Sequence, residues 1–216
     1  MRRRWLAAGA LVLGIGLGWL VARRRPFSAW LAWMLTLPGL RNIARAEELA
    51  ALLDIRPGMR VLDAGAGPGR LTILFAERVG PDGTVTALDV QPGMLELVRR
   101  RAAERGLTNV RLLLADLGQG TLAAFEPASY DRAALVHVLG ETDDPAAALR
   151  DVAAALVPGG RVAIVEHLGD PHYVRYRRVR ELAESVGLRL IGERRSRFGH
   201  TTIWEKPIDT ATKGAA

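Results

Sequence analysis

Cysteine is absent from the 216-residue chain. Its absence excludes a disulfide framework, a thiolate metal site and a cysteine nucleophile. Aromatic residues are also scarce, at 6%, whereas 49% of the residues are hydrophobic and 25% are charged. This balance is typical of a chain that buries a core, so disorder, collagen and coiled coil are excluded as descriptions of the whole chain.

Acidic residues are absent from the first 45 residues, which contain eight arginines. Residues 46–216 contain 22 Lys and Arg against 23 Asp and Glu, a net charge of −1. The overall charge of +7 therefore belongs to the N-terminal segment. A balanced body without interleaved basic and aromatic residues predicts no nucleic-acid partner.

An uncharged run of 18 residues, 5–22, lies between the arginines of residues 2–4 and 23–25. At about 1.5 Å per residue, a helix of this length crosses most of a bilayer core of roughly 30 Å. We therefore expect residues 1–25 to form a basic-flanked transmembrane helix. A cleaved signal peptide is the alternative, but three arginines follow the apolar run where a small-residue cleavage site belongs.

A second uncharged stretch, residues 26–40, is too short to span a bilayer comfortably. Phe27, Trp30 and Trp33 favour an interfacial amphipathic segment over residues 26–45, with its arginines facing anionic lipid. The alternative is that this segment packs on the globular domain. These features predict a single-pass membrane protein with an anionic bilayer surface as a partner.

Residues 46–206 alternate between apolar runs and helical periods, which is typical of an α/β domain with an open sheet. Expected strands cover residues 60–64, 84–89, 110–115, 131–137, 161–166, 188–193 and 201–206. Expected helices cover residues 42–53, 70–78, 92–105, 145–156 and 176–186, the fourth capped by Asp144. Residues 207–216 are expected to form a disordered polar tail.

A glycine-rich turn, VLDAGAGPGR, follows the first expected strand over residues 61–70. A strand, a glycine turn and a helix in succession bring backbone N–H groups to a ligand at the carboxyl edge of the sheet. Arg70 replaces the third glycine of the dinucleotide fingerprint, and Asp63 would repel a pyrophosphate but pair with an ammonium group. The turn therefore favours an amino-acid-like ligand.

Two further acids end the next two strands. Asp89 follows TVTAL, where a carboxylate can accept both hydroxyls of a ribose, and Asp116 follows VRLLLA, near the expected position of an adenine edge. Either acid alone is equally well explained as a helix cap. Three acids at the ends of three successive strands predict one ligand site.

Taken together, these motifs resemble the class I S-adenosylmethionine-dependent methyltransferases. The segments VLDAGAGPG, TVTALDVQPGML, LLLADL and LRDVAAALVPGGRVAIVEH carry the resemblance, over about residues 47–206. It implies a Rossmann-like seven-stranded sheet with the last strand antiparallel, helices on both faces, and S-adenosylmethionine as cofactor. The implied cofactor residues are Asp63, Ala64, Gly65, Ala66, Gly67 and Gly69 near the methionine part, Asp89 and Val90 near the ribose, Asp116 and Leu117 near the adenine, and His137.

The motifs are most similar to the ubiquinone-biosynthesis and phospholipid N-methyltransferase branch, whose members commonly lack a transmembrane span. With the expected anchor, the resemblance implies methyl transfer to a lipid-borne acceptor, either a phosphatidylethanolamine-type headgroup or a polyprenyl quinone ring. A soluble acceptor and a non-catalytic cofactor-binding membrane module are the alternatives, and the oligomeric state is left open. A cytosolic cofactor implies a cytoplasmic catalytic domain.

Acceptor-side residues are expected in the second half of the chain, which contains all four histidines. His137 ends the fourth strand, Glu141 follows it by one helical turn, and Tyr173 lies beyond the fifth strand, so we predict these three as catalytic. His167 and His172 are the next candidates, and a structural role is the alternative for each histidine. No HxxxH or HExxH spacing occurs, and methyl transfer from a sulfonium needs no ion, so no metal is expected.

A group of arginines between residues 175 and 197 completes the candidates. It is interpreted either as a basic rim that binds lipid phosphates or as an ordinary solvated face.

Overall fold

The structure is a computed structural model that describes residues 46–208. The expected transmembrane helix over residues 1–25, the interfacial segment over residues 26–45 and residues 209–216 of the expected tail lie outside the described residues. Within residues 46–208, no helix is both long enough and apolar enough to cross a membrane.

Strands and helices alternate along the described chain. The strands are β1 (Arg60–Ala64), β2 (Thr84–Asp89), β3 (Val110–Leu114), β4 (Tyr130–Val136), β5 (Leu156–His167), β6 (Arg189–Ser196) and β7 (Gly199–Glu205). The helices are α1 (Ala46–Leu52), α2 (Arg70–Val79), α3 (Pro92–Glu104), α4 (Thr121–Phe125), α5 (Pro145–Ala155) and α6 (Tyr176–Ser185), with a 3-10 turn over Leu139–Glu141. Each expected strand is present within a few residues of its predicted bounds, whereas α4 and the 3-10 turn were not predicted.

The largest shift in bounds occurs in β5, which begins five residues before the predicted start. The Pro-Gly-Gly turn continues the strand because Gly159 donates its N–H to the carbonyl of Lys206, and Lys206 donates to the carbonyl of Gly160. Asp144 caps α5 as predicted, since its carboxylate accepts from the N–H groups of Ala146 and Ala147.

The seven strands form one sheet in the order β3-β2-β1-β4-β5-β7-β6. Strands β1 to β5 pair in parallel, and β7 runs antiparallel to both β5 and β6. This confirms the predicted Rossmann-like methyltransferase sheet with its last strand antiparallel. The chain leaves β1 in one direction and returns at β4 on the other side, so β1 and β4 flank the topological switch point, where ligands bind in open α/β sheets.

Both faces of the sheet are covered, because side chains alternate between the two faces along each strand. Leu62, Ile164 and Trp204 are fully buried in the cluster that includes residues of α5 and α6. Val61 and Ala163 lie on the opposite face, in the cluster that includes α1 and α2. The sheet is thereby fixed rigidly enough to aim the side chains at its carboxyl edge.

Candidate active site

The glycine turn after β1 is fastened to the neighbouring strand. The N–H groups of Gly65 and Ala66 both donate to the carbonyl of Leu88, at 2.8 and 2.9 Å. Gly65 has a φ of 77°, and a Cβ there would lie 2.3 Å from Val138. Only glycine combines this left-handed backbone with so close a neighbour.

Gly67 differs, because a Cβ built on it would meet nothing within 4 Å although its φ is 52°. The space in front of this residue is therefore open. Gly69 packs against Val98 of α3 instead. A backbone that faces open space at the switch point is a cradle in which a small molecule can approach the peptide group closely.

Asp89 joins the turn to the end of β2. Its Oδ2 accepts the N–H of Gly67 and its Oδ1 accepts the N–H of Gln91, both at 2.8 Å. Burial raises the pKa of this carboxyl group, while the N–H groups of Gln91, Gly67 and Val90 oppose that rise. Each oxygen keeps a lone pair for a further donor, as a ribose diol requires. The half-exposed side chain of Val90 offers an apolar surface beside it.

Asp63 lies beneath the turn and is only 2% exposed. Its Oδ2 accepts the hydroxyl of Thr72 at 2.5 Å, which ties the end of β1 to α2. Burial raises the pKa of Asp63 to about 6 against the lowering effect of Thr72. Contact between this carboxylate and a ligand ammonium stays a prediction, and Thr72 is a supporting residue that the sequence did not single out.

The remaining predicted donor residues fall into two groups. Ala64, Ala66 and Leu117 are buried. Asp116 is exposed on the connection after β3. Its contact with an adenine stays a prediction, as do the individual contacts of the other cofactor residues.

His137 follows β4 on the other side of the switch point. It has a φ of 60°, an uncommon conformation for a residue with a side chain, and its N–H donates to the carbonyl of Val165 at 3.0 Å. Its Nδ1 lies 3.2 Å from Oδ2 of Asp170. The two groups are in close contact but are not aligned as a hydrogen bond. A strained backbone that presents a paired imidazole is typical of functional sites.

Asp170 belongs to the connection between β5 and α6, which crosses in front of the 3-10 turn. Burial would raise the pKa of Asp170, but contacts with His137 and the N–H of His172 lower it overall. The 3-10 turn and this connection touch so closely that a Cβ on Gly140 would overlap the carbonyl of His172. Glu141 thereby comes within 3.9 Å of the Nδ1 of His172. The fold thus brings three predicted candidates, His137, Glu141 and His172, together with Asp170, an acid that the sequence did not single out.

Glu141, Asp170 and His172 each place one ligand atom within 4.8 Å of the others. A group of this composition can hold a divalent cation. The sequence motifs gave no sign of it because the ligands come from separate connections. The expectation that the reaction needs no metal stays a prediction.

Glu166 and His200 form a buried pair behind this group, on adjacent antiparallel strands. Glu166 is 2% exposed, and its Oε2 accepts the N–H of Val174 at 3.2 Å, while Oε1 has no hydrogen-bond partner among residues 46–208. Burial, assisted by Asp170 and Glu141, raises its pKa to about 8. The Nε2 of His200 lies 3.0 Å from the carbonyl of Val174, so this nitrogen carries the proton.

Tyr173 lies at the border of this group. Its ring centroid is 5.8 Å from that of His200. His167 is the edge-on neighbour of His137, with centroids 6.4 Å apart. The catalytic roles of His137, Glu141 and Tyr173 stay predictions.

Comparison with known proteins agrees with this arrangement. Residues 55–188 match a family model described as a methyltransferase domain. The ubiquinone/menaquinone biosynthesis C-methyltransferase UbiE of Idiomarina loihiensis is 37% identical over 113 residues, 52% of this chain and 44% of the relative. The nocamycin O-methyltransferase of Saccharothrix syringae is 39% identical over 127 residues, 58% of this chain and 44% of the relative. The chain thus spans less than half the length of these two curated relatives.

The fold is also that of a solved methyltransferase. The crystal structure of a SAM-dependent methyltransferase from Aquifex aeolicus matches with a TM-score of 0.75 at 20% identity, covering 84% of this chain and all of that one. Three features fit S-adenosylmethionine as the cofactor. They are the open space at Gly67, the carboxylate of Asp89, which accepts two backbone hydrogen bonds, and the apolar side chain of Val90. The family match covers more than half of the chain, which therefore belongs to the methyltransferase-domain family.

Proposed function

We propose that this methyltransferase acts on a lipid-borne acceptor, a polyprenyl quinone ring in its hydroxylated form. The observation that carries the proposal is the pair formed by His137 and Asp170, 3.2 Å apart at the carboxyl end of β4 and across the switch point from the glycine turn. An imidazole oriented by a carboxylate can act as a general base on a phenolic hydroxyl. The similarity to a ubiquinone/menaquinone biosynthesis C-methyltransferase supports the same acceptor class.

The chemistry follows from this geometry. S-adenosylmethionine supplies a methyl group that its sulfonium has already activated. Holding donor and acceptor at near-attack distance contributes up to roughly 7 to 11 kcal/mol to such a displacement. The Nδ1 of His137 faces Asp170, which leaves Nε2 to take the proton from the ring hydroxyl.

Proton removal makes the ring nucleophilic. A phenol with a pKa near 10 is almost fully protonated at neutral pH, and its deprotonation places negative charge on the ring carbons. One of these carbons forms the new bond to the methyl group as the sulfur–carbon bond breaks and S-adenosylhomocysteine leaves. That carbon then releases its hydrogen as a proton to water, which restores the aromatic ring as a phenolate, and the phenolate regains the proton held by His137.

A phospholipid amine headgroup is the second candidate. It is favoured by the acids of the acceptor side, Glu141 and Asp170, which would attract an ammonium group. An amine with a lysine-like pKa near 10.4 must first lose a proton, at a cost of about 4 to 5 kcal/mol at pH 7. Neighbouring carboxylates increase that cost, which is why we place the quinone ring first.

Membrane localisation is part of the proposal. The uncharged residues 5–22, flanked by arginines, would anchor the catalytic domain at the cytoplasmic face of a bilayer. An anchored enzyme meets a lipid-borne acceptor in two dimensions and needs no transfer of that acceptor through water. The lipid acceptor and the anchor thus support each other.

The test uses the full-length protein in mild detergent, methyl-labelled S-adenosylmethionine and a total lipid extract that is then separated into quinone and headgroup fractions. Asp89→Ala serves as the variant without cofactor binding. Label in the quinone fraction, absent with Asp89→Ala, is the expected result. Label in a headgroup fraction would establish the second candidate instead. Intact cofactor binding without label in any lipid fraction would overturn both and direct the search to soluble acceptors.

A further inference from the structure

Two large apolar side chains protrude side by side at the carboxyl edge of the sheet. Leu168, directly after β5, is 53% exposed, and Phe198, in the turn between β6 and β7, is 52% exposed. Their backbones are joined, since the N–H of Leu168 donates to the carbonyl of Phe198 at 2.8 Å. An adjacent exposed pair of this size on a fixed backbone is a surface for contact with another apolar phase.

This pair lies next to the acceptor side of the active site. Because β7 is antiparallel to β5 and β6, the β6–β7 turn comes to the same edge as His137. The ring of His167 connects the two, with centroids 6.4 Å from that of His137 and 6.4 Å from that of Phe198, on which it stacks. Whatever contacts Phe198 is therefore two rings away from the proposed base.

The segment of the chain that contains the pair is basic. Residues 168–199 contain eight arginines and four acids, although residues 46–216 as a whole have a net charge of −1. Arg197 lies over the ring of Phe198 at 4.6 Å, and Arg195 lies over the ring of Tyr176 at 4.2 Å. Neither arginine makes an ion pair with a carboxylate of residues 46–208, in contrast to Arg194, which pairs with Glu48.

We propose that Leu168, Phe198, Arg195 and Arg197, here named the docking tip, insert into the headgroup region of an anionic bilayer. Apolar and aromatic side chains favour the acyl boundary, while arginines bind lipid phosphates from the same surface. The tip contains both elements, at the end of the β6–β7 hairpin and in the loop after β5. This inference rests on the proposed lipid-borne acceptor and adds how the acceptor arrives: the mouth of the site faces the membrane.

A contrasting surface lies at the other end of the sheet. Phe125 is 80% exposed. Its neighbour Glu126 binds Arg60 at the start of β1 and Arg111 near the start of β3, which is the end of that strand away from the site. Among the described residues, Arg60 and Arg111 at this end both pair with Glu126. Phe125 is therefore the matched control, equally apolar and placed at the opposite edge.

The absence of cysteine allows a direct test in the full-length protein. Phe198→Cys and Phe125→Cys are each labelled with an environment-sensitive fluorophore and reconstituted into vesicles of phosphatidylcholine alone or with phosphatidylglycerol. Nitroxide-labelled lipids then report contact with the bilayer. We expect quenching at position 198 in anionic vesicles and none at position 125. Replacing Arg195 and Arg197 by Gln should weaken docking about fivefold for each arginine removed.

Three outcomes would overturn the docking tip: equal quenching at both positions, no quenching at position 198, or insensitivity to both arginines and lipid charge. If the docking tip binds a cytosolic protein instead of the bilayer, no quenching will occur at position 198, because the label will not contact nitroxide lipids. Methyl transfer to a polyprenyl quinol is measured in parallel in detergent micelles. Turnover in micelles without docking in vesicles rejects the tip alone, whereas docking without any turnover rejects the proposed function alone.

Discussion

The N–H of Gly67 donates to the Oδ2 of Asp89 at 2.8 Å, so the glycine turn of β1 is held by the last residue of β2. The other carboxylate oxygen accepts from Gln91 at the start of the next helix. One side chain therefore positions the turn, the end of its own strand and the helix that follows. The donor half of the site is thus held together by backbone contacts to a single carboxylate.

Replacing Asp89 by Asn should weaken S-adenosylhomocysteine binding about 10- to 100-fold, because one charge-assisted acceptor for a ribose hydroxyl is lost. Calorimetric titration measures the change. Asp82→Asn, at an exposed turn position before β2, is the control and should bind as the unaltered protein does. Unchanged affinity in Asp89→Asn would show that the cofactor bypasses this carboxylate.

Gly67→Ala and Gly65→Ala should fail for different reasons. The new Cβ at residue 67 meets no protein atom, so the protein stays folded with only the backbone strain of an alanine at a φ of 52°, but the Cβ fills the open space and lowers cofactor affinity. At residue 65 it lies 2.3 Å from Val138, so the protein loses stability, and adding Val138→Ala should restore part of it. Thermal midpoints and cofactor titrations separate the two effects. A Gly67→Ala variant with normal affinity would contradict the cradle.

His137→Gln should lower the single-turnover rate of methyl transfer about 100- to 10,000-fold, since a general base typically contributes that much. Asp170→Asn should lower it less, because the imidazole loses its orienting partner but keeps its lone pair. Rapid-quench measurements at saturating cofactor give both rates. Asp143→Asn, an exposed position before α5, is the control. Full activity in His137→Gln would exclude the proposed base.

Glu166→Gln should change how stability depends on pH. The pKa of Glu166 is raised from 4.5 to about 8, so the folded protein holds a proton that the unfolded chain releases above pH 4.5. Stability of the unaltered protein therefore falls as pH rises between these values, by roughly 1.4 kcal/mol per pH unit relative to Glu166→Gln. Chemical denaturation in mild detergent at pH 5, 6.5 and 8 measures the difference. Parallel pH dependences in the two proteins would mean that Glu166 is ionised throughout; Glu181→Gln is the exposed control.

The donor half of the site was predictable from the sequence because its residues lie in contiguous motifs. A strand that runs into glycines fixes the position of Gly67, and the strand end that follows fixes Asp89. The strand bounds around them were confirmed for β1 and β2. Local sequence determines these positions because parallel strands bring their carboxyl ends to one edge.

The acceptor half was predicted only in part. His137 and Glu141 were identified as candidates, but Asp170 and His200 come close through the path of the connection after β5, which no local pattern describes. Glu166 lies in an apolar strand whose alternation predicts an inward position, yet the pattern gives no sign that burial raises the pKa of its carboxyl group to about 8. Tertiary contacts determine these features.

The strand order also divides the site along the chain. Every predicted donor residue except His137 precedes residue 118, and the acceptor side is built from residues 137–200. A single crossover between Leu117 and Tyr130 would therefore exchange acceptor specificity while leaving the cofactor cradle intact. Recombination between homologous genes can diversify the substrates of such a protein without rebuilding its donor chemistry.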